Sequence, residues 1–455
     1  MTFQIHRRGA GLLAAGLATF GLMITSAPLS AQDPAGAETL TLQDAIEIAR
    51  ANNPQLRAVE TERGAARSAV RSAYGDFLPQ LSAGTSVGYT AAGTRRFGDV
   101  DLAEQPAVYS SGYNLGMSYS MSGATMLQPR LAQAREQATH ARIEGEAAGL
   151  ESQVSQNYLA VLQADAEYAQ ATVEVERTDT YVRQAEARLA VGAATPLDVR
   201  RAEVQRGQAE FRQLQAENAR YRERLALSRL MGVALPEDVA LTTDFELFAP
   251  EWDVEALVRT ALERNPALRA MEAQATASDT QLRVARSRYL PSVGLNATLF
   301  QGSVLQRSGE EDGPSFPFGY QQQPANMSFS VSIPLFTGFD RRLATDEARA
   351  ASTAAQENVR AEELRLRSEV ATAARTVETA YRGARLQAQV RETAAEELRL
   401  AQERFRQGAG TSVEVVDAQT NLSEAEREEI NAIYEFHRSL AGLEAMLGRT
   451  LRPGS

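Results

Sequence analysis

The chain is written twice, and nothing else in it constrains the fold as much. Asn53-Pro54-Gln55-Leu56-Arg57-Ala58 recurs as Asn265-Pro266-Ala267-Leu268-Arg269-Ala270, and Leu78-Pro79 recurs at the same offset as Leu290-Pro291. Met117-Ser118-Tyr119-Ser120-Met121-Ser122 is echoed by Met327-Ser328-Phe329-Ser330-Val331-Ser332, and Gly192-Ala193-Ala194-Thr195 by Gly408-Ala409-Gly410-Thr411. Two copies are too few for a solenoid and describe a pair of modules. Each has the order helix, strand, strand, long helix, turn, helix. The pattern divides the chain into a first repeat over 32–231, a linker over 232–252, a second repeat over 253–448 and a tail over 449–455.

Four stretches alternate with period two, over about 79–90, 109–122, 291–300 and 326–336. In the first, Leu81, Ala83, Thr85, Val87 and Tyr89 share one face and Gln80, Ser82, Gly84, Ser86 and Gly88 the other. In the second, Tyr113, Leu115, Met117, Tyr119 and Met121 oppose Asn114, Gly116, Ser118, Ser120 and Ser122. The third sets Val293, Leu295, Ala297 and Leu299 against Ser292, Gly294, Asn296 and Thr298. The fourth sets Met327, Phe329, Val331, Ile333 and Leu335 against Ser328, Ser330 and Ser332. Segments of about ten residues with one apolar face and one small polar face have the pattern of transmembrane β-strands around a wet lumen. A half-buried sheet in a soluble domain is the competing reading, but it would need an apolar layer to pack on, and the helices are poor in large apolar residues.

The N-terminus carries His6, Arg7 and Arg8 before an apolar run from about Leu12 to Ile24, then Ala27-Pro28-Leu29-Ser30-Ala31. This reads as a secretory signal peptide over 1–31, of the general rather than the twin-arginine type. No later stretch is apolar enough for a membrane-spanning helix, so membrane residence requires a closed barrel. Removing 1–31 takes away two arginines and no acids, moving the formal net charge from −11 to −13. That balance argues against nucleic acid as a partner. The absence of cysteine excludes disulfides, thiol chemistry and a lipid-modified cysteine at the mature N-terminus.

Long helices are predicted over about 128–190 and 340–407, with shorter ones over about 196–231 and 412–447. A helix of about 60 residues would be roughly 90 Å long, far beyond the span of an ordinary globular domain. Leu366, Val370, Ala373, Val377, Ala380 and Ala384 have coiled-coil spacing. Four strands cannot close a barrel alone. Two, three or four copies would supply eight, twelve or sixteen strands, and only the larger two leave an open lumen.

At this point the residues resemble the TolC-type outer-membrane efflux proteins. The likeness runs from Thr41 to Gly448. It rests on the paired Asn-Pro helix starts, the Leu-Pro strand entries, Ile333-Pro334-Leu335-Phe336-Thr337-Gly338, and the turns Arg188 to Val199 and Arg404 to Val415. The resemblance implies a mainly α protein with a β-barrel part: a homotrimer, four strands per subunit in a twelve-strand transmembrane barrel, continued by a long periplasmic α-helical barrel. It also implies the outer membrane of a Gram-negative bacterium, contact with its lipid, and work as the exit duct of a tripartite pump or type I secretion system. The partners would be a periplasmic adaptor and an inner-membrane transporter. The alternative from another class is a soluble periplasmic coiled-coil scaffold.

The turns after the long helices carry the candidate site. Thr195-Pro196-Leu197-Asp198 is a helix start with an N-cap threonine, a proline at the first helical position and an acid three residues on, and Thr411-Ser412-Val413-Glu414 repeats it as a capping box. Capping alone accounts for Asp198 and Glu414. The resemblance adds a second role, since acids at this turn line the periplasmic constriction in that family, and Asp417 follows Glu414 by one helical step. Three subunits would gather nine carboxylates. Two charges about 6 Å apart cost roughly 3 kcal/mol at an effective dielectric of 20, enough to raise pKa values and select cations. Arg200, Arg201, Arg404 and Arg406 are the candidates for a salt-bridge latch. Leu189, Val191, Gly192, Phe405, Gln407 and Gly408 form the expected adaptor-docking tip, where Gly192 and Gly408 also serve as helix C-caps.

The segments 91–108 and 301–325 are expected as outer loops carrying Asp99, Asp101, Glu104, Glu310, Glu311 and Asp312. No enzyme, cofactor or metal is predicted. Gly84-Thr85-Ser86-Val87-Gly88 matches G-x-S-x-G but sits inside an alternating strand instead of a strand-turn-helix. His140 and His437 stand alone on helices.

Overall fold

The computed structural model describes residues 39–236, 239–242, 245–307 and 320–452. The signal-peptide segment and Glu310, Glu311 and Asp312 lie outside the described residues. The first repeat runs β1 (Thr39–Leu40), α1 (Leu42–Asn52), α2 (Pro54–Gly75), β2 (Gln80–Thr90), β3 (Gly93–Phe97), β4 (Val100–Gln105), β5 (Val108–Met121), α3 (Gly123–Ala190) and α4 (Pro196–Met231). After β6 (Ala240–Leu241), the second runs α5 (Val254–Arg264), α6 (Pro266–Ser287), β7 (Ser292–Arg307), β8 (Gln321–Gln323), β9 (Asn326–Ser332), α7 (Asp340–Arg406) and α8 (Ser412–Leu447).

The recurring Asn-Pro pair is the hinge between the two short helices of each repeat. Asn53 leaves helical geometry at φ −62°, ψ 121°, and its Oδ1 accepts from the Gln55 and Leu56 amides while Pro54 starts α2. Its Nδ2 donates to the Leu230 carbonyl at 2.8 Å, tying the hinge to the end of α4. Asn265 repeats the bridge in the second copy with one amide in place of two, accepting from the Leu268 amide and donating to the Met446 carbonyl at 3.0 Å. One side chain thus satisfies an orphan donor at a helix start and an orphan acceptor at a helix end.

Each repeat builds an apolar core around that hinge. Ala49, Leu56, Leu150, Val154, Val161, Leu227 and Met231 are buried together in the first. Ala261, Leu268, Leu366, Val370, Val377, Leu443 and Leu447 occupy the corresponding places in the second. The bulky ring comes from different helices: Tyr158 on α3, donating to the Leu40 carbonyl at 2.7 Å, and Phe436 on α8. The predicted coiled-coil seam of α7 is present with one shift, since Ala374 takes a buried place where Ala373 was expected. The linker is partly structured: β6 pairs in parallel with β1, and Phe248 and Trp252 pack on the second core.

The four alternating stretches form one antiparallel sheet in the order β2, β5, β7, β9, with the short β8 also on β7. Two of the strands depart from their expected bounds. β7 has 16 residues where 291–300 was expected, because it pairs with β5 from Val108↔Arg307 to Met121↔Val293. β9 has 7 and stops at Ser332, before Pro334, which lacks the N–H a ladder needs. The expected loop over 91–108 contains the hairpin β3–β4, turning at Gly98 and Asp99. α3 begins at Gly123, earlier than the predicted 128. Ser122 caps it by accepting from the Thr125 amide at 3.1 Å, and Pro129 lies inside the helix. Among the described residues no helix is long and apolar enough to cross a membrane.

Candidate functional site

The lower ends of α3, α4, α7 and α8 meet in one apolar cluster that includes Tyr181, Val182, Ala202, Leu398, Val415 and Leu422. Both tip turns close in the same way. Gly192 and Gly408 each adopt φ 73°, the left-handed conformation that a Cβ disfavours. The following amides donate back to the Arg188 and Arg404 carbonyls, Ala193 at 2.8 Å and Ala409 at 2.9 Å.

The two threonine caps then diverge. Thr195 and Asp198 form a complete capping box: the Thr195 amide and hydroxyl donate to Asp198 at 2.8 and 2.7 Å, and the Asp198 amide donates to the threonine oxygen. The other carboxylate oxygen accepts a short hydrogen bond from the Ser412 hydroxyl at the start of α8. These donors, Ser412 foremost, hold the Asp198 pKa down at about 2 instead of 3.8. Within the subunit these donors act against the rise expected where three subunits gather their carboxylates. Glu414 departs from the expected capping box: its amide donates to Thr411, but its carboxylate turns away to pair with Arg404 at 3.5 Å. Of the four candidate latch arginines, Arg404 is the one that pairs with a candidate gate acid, whereas Arg200 pairs with Glu203 at 2.6 Å. Asp417 is exposed and, among the described residues, has neither hydrogen-bond nor ion-pair partner.

The six expected docking residues split into two groups. Val191 is 78% exposed, and Gly192, Gln407 and Gly408 are exposed with it. Leu189 and Phe405 instead pack on the tip cluster. Arg188 clamps Phe405, donating to its carbonyl at 3.0 Å with the guanidinium 4.0 Å from the ring centroid. Arg188 and Ser412 were not singled out from the sequence. Both act across more than 200 residues of chain, and local spacing carries no signal of such contacts. Beside the tip, Leu197, Arg200, Arg201, Val204, Val413 and Val416 line an open groove of about 400 Å³.

A second feature runs the length of the subunit. The sheet ends at β2 on one side and β9 on the other, and both are exposed along their whole length. The helices lie side by side as α2, α3, α6, α7 above and α4, α3, α8, α7 below. One edge of the subunit is therefore β2, α2 and α4, and the other is β9 and α7. α4 leaves a heptad stripe uncovered, Leu197, Val204, Phe211, Leu214, Tyr221 and Leu225, each 52–62% exposed. α7 leaves Leu343, Leu364, Leu386, Val390 and Leu400 uncovered. α2 buries only Leu56 and Ala73, while its counterpart α6, held between two helices, buries Leu268, Ala277, Leu282, Val284, Ala285 and Ser287.

Comparison with known proteins places this geometry. The sequence profile of the outer membrane efflux proteins matches residues 45–233 and again 257–449, once on each repeat. The outer membrane protein TolC of Vibrio cholerae is 25% identical over 411 residues, covering 90% of each chain. The CmeC outer membrane channel of Campylobacter jejuni superposes with a TM-score of 0.74 at 17% identity, over 90% of this chain and 85% of that one. A membrane protein from Pseudomonas aeruginosa superposes with a TM-score of 0.75 at 22% identity, over 90% and 93%. With the profile falling on both repeats and the fold shared over 90% of the chain, the chain belongs to the outer membrane efflux protein family.

Proposed function

We infer that the protein is the outer-membrane exit duct of an efflux or secretion assembly, built from three copies of this chain. The observation that carries the reading is the pair of opposed, unlike edges. Joining β2, α2 and α4 of one subunit to β9 and α7 of the next satisfies two open ladders and covers the apolar stripes in one head-to-tail step. Three such steps make a ring of twelve strands with an open lumen, and four long helices per subunit extend it into the periplasm. A soluble scaffold would leave the apolar faces of β2 and β9 in water.

The tip is the proposed gate. Three copies bring together Glu414 and Asp417, free of capping duties, around the fixed charge of Asp198. The Arg404 pairs hold Glu414 in the closed arrangement. Val191, Gly192, Gln407 and Gly408 offer the surface for a periplasmic adaptor, which couples the duct to an inner-membrane transporter. The energy for transport comes from that partner.

Single-channel conductance in a planar bilayer tests this. The wild type is expected to conduct cations in preference to anions, and the double change Glu414→Ala, Asp417→Ala to lose most of that preference. Asp198→Ala is expected to destabilise the tip. No conductance from verified, inserted trimers would overturn the duct, and unchanged selectivity in the double variant would overturn the gate.

A further inference from the structure

The linker between the repeats is held by both of them. Arg224 of α4 donates to the Val239 carbonyl at 3.1 Å and β6 pairs with β1, which ties its start to the first repeat. Phe245 packs on the first core, whereas Phe248 and Trp252 pack on the second. Where the linker crosses from one core to the other it meets His437 of α8, 2% exposed. The His437 ring lies 5.3 Å from that of Phe245 and 5.0 Å from that of Phe436, centroid to centroid. The Phe245 carbonyl accepts from one ring nitrogen, and the other, Nε2, is buried with no hydrogen-bond partner among the described residues. The C-terminal tail closes over the same place. Arg452 stands 4.5 Å from the centre of the Phe245 ring and pairs with Glu444 at 3.5 Å, and the Leu451 amide donates to Glu444 at 2.7 Å. The duplication does not call for a histidine here: in the register that pairs Leu227 with Leu443, its counterpart is Tyr221, 54% exposed. A phenylalanine would fill the place without orphaning a nitrogen.

We propose that His437, Phe245 and Arg452 form an acid-released clasp on the linker, shut at neutral pH and opened by a proton taken up on the orphan Nε2. Protonation in place would set a desolvated imidazolium beside the Arg452 guanidinium. Burial, and after it that guanidinium, hold the His437 pKa down at about 4 against 6.5 for the free ring, although the Phe245 carbonyl pulls the other way. The charges around the ring come from the tail, as Arg452, and from α8, as its partner Glu444. On α8 itself Tyr434 and Arg438 flank His437 in sequence, and Arg438 is turned to Gln163 of α3 and to Glu435. Glu246, next to Phe245 in the linker, is exposed. A folded pKa below the free value means that the neutral ring favours the shut clasp in full above about pH 6.5. That contribution is lost as the pH falls toward 4. Opening releases the linker and the tail from α8 while the two helical cores persist, a local step well short of unfolding. A protein of the outer membrane meets the acidity of the medium directly, so the pH range is one that the clasp encounters.

Hydrogen-exchange mass spectrometry on the full-length protein in detergent tests the clasp. The readout is the protection of peptides spanning 239–252, corrected for the intrinsic pH dependence of exchange, at pH 7.5 and pH 4.5. With a ring that titrates near 4 when shut and 6.5 when open, wild-type protection is expected to fall by about 70-fold between the two. His437→Gln keeps a donor for the Phe245 carbonyl and removes the titration, so its protection should change by less than about threefold. A wild type whose linker is equally protected at both pH values would overturn the clasp. So would a His437→Gln protein that loses protection as steeply as wild type, because the proton would then act elsewhere. Should His437→Gln not fold, Arg452→Gln leaves the buried ring untouched. Without the guanidinium the shut ring titrates closer to 6.5, and the fall should shrink; a fall as large as in wild type would take Arg452 out of the clasp and the proposal with it.

Discussion

At the scale of single residues, Asp198 illustrates how a site acid can be spoken for by its neighbours. Its carboxylate accepts from Thr195 and from Ser412, 214 residues away, and its pKa falls to about 2. The folded value lies below the ordinary 3.8, so the carboxylate stabilises the tip above about pH 4 and loses that contribution as the pH falls toward 2. Ser412→Ala is expected to cost about 1.5 kcal/mol of local stability at neutral pH, the scale of a hydrogen bond to a charged group. The difference from wild type should shrink as the pH falls through about 2 and vanish below it. Hydrogen exchange of the α4 and α8 amides as a function of pH checks this, and a difference undiminished between neutral pH and pH 2 would remove Asp198 as its cause. The threonine and the acid were legible as a cap. The serine was not, because nothing in the spacing of either segment says that the two tip turns touch.

At the scale of elements, the duplicated hinge makes a comparative prediction. Asn53→Ala and Asn265→Ala each remove a cap and orphan a helix-end carbonyl, so each is expected to cost about 1–2 kcal/mol. The two losses should match within a few tenths of a kcal/mol, since the bonds to Leu230 and Met446 are alike. Urea unfolding followed by helical circular dichroism measures both, and a strongly unequal pair would mean that the copies are not energetically equivalent. The Asn-Pro signal was readable because capping is local. Strand lengths were less so: the extension of β7 to Arg307 depends on β5 lying beside it, and the hairpin β3–β4 sits in a segment whose composition reads as loop.

At the scale of the whole molecule, the uncovered stripe of α4 is the sensitive element. Phe211 is 61% exposed in the subunit and, in the ring, would lie against the next copy. Burying such a ring is worth roughly 1.5–3 kcal/mol per interface, and a charge in its place would oppose assembly further. Phe211→Glu is therefore expected to abolish the SDS-resistant trimer on unheated gels while leaving the helical signal of the subunit intact. Leu386→Glu, on the opposite edge, should do the same. A variant trimer as resistant as wild type would place α4 and α7 away from the subunit boundary.

The sequence by itself determined the duplication, the alternation that makes the strands, the caps that start and stop the helices, and the family resemblance. All of these are written in spacings of a few residues or in the recurrence of such spacings. Only the tertiary structure decided which partner each tip acid takes, that Phe405 is held by Arg188, and that the subunit presents two unlike open edges. Those outcomes depend on which helix faces meet after the chain has doubled back. Residues 200 positions apart become neighbours through packing, and packing leaves no period in the sequence to read.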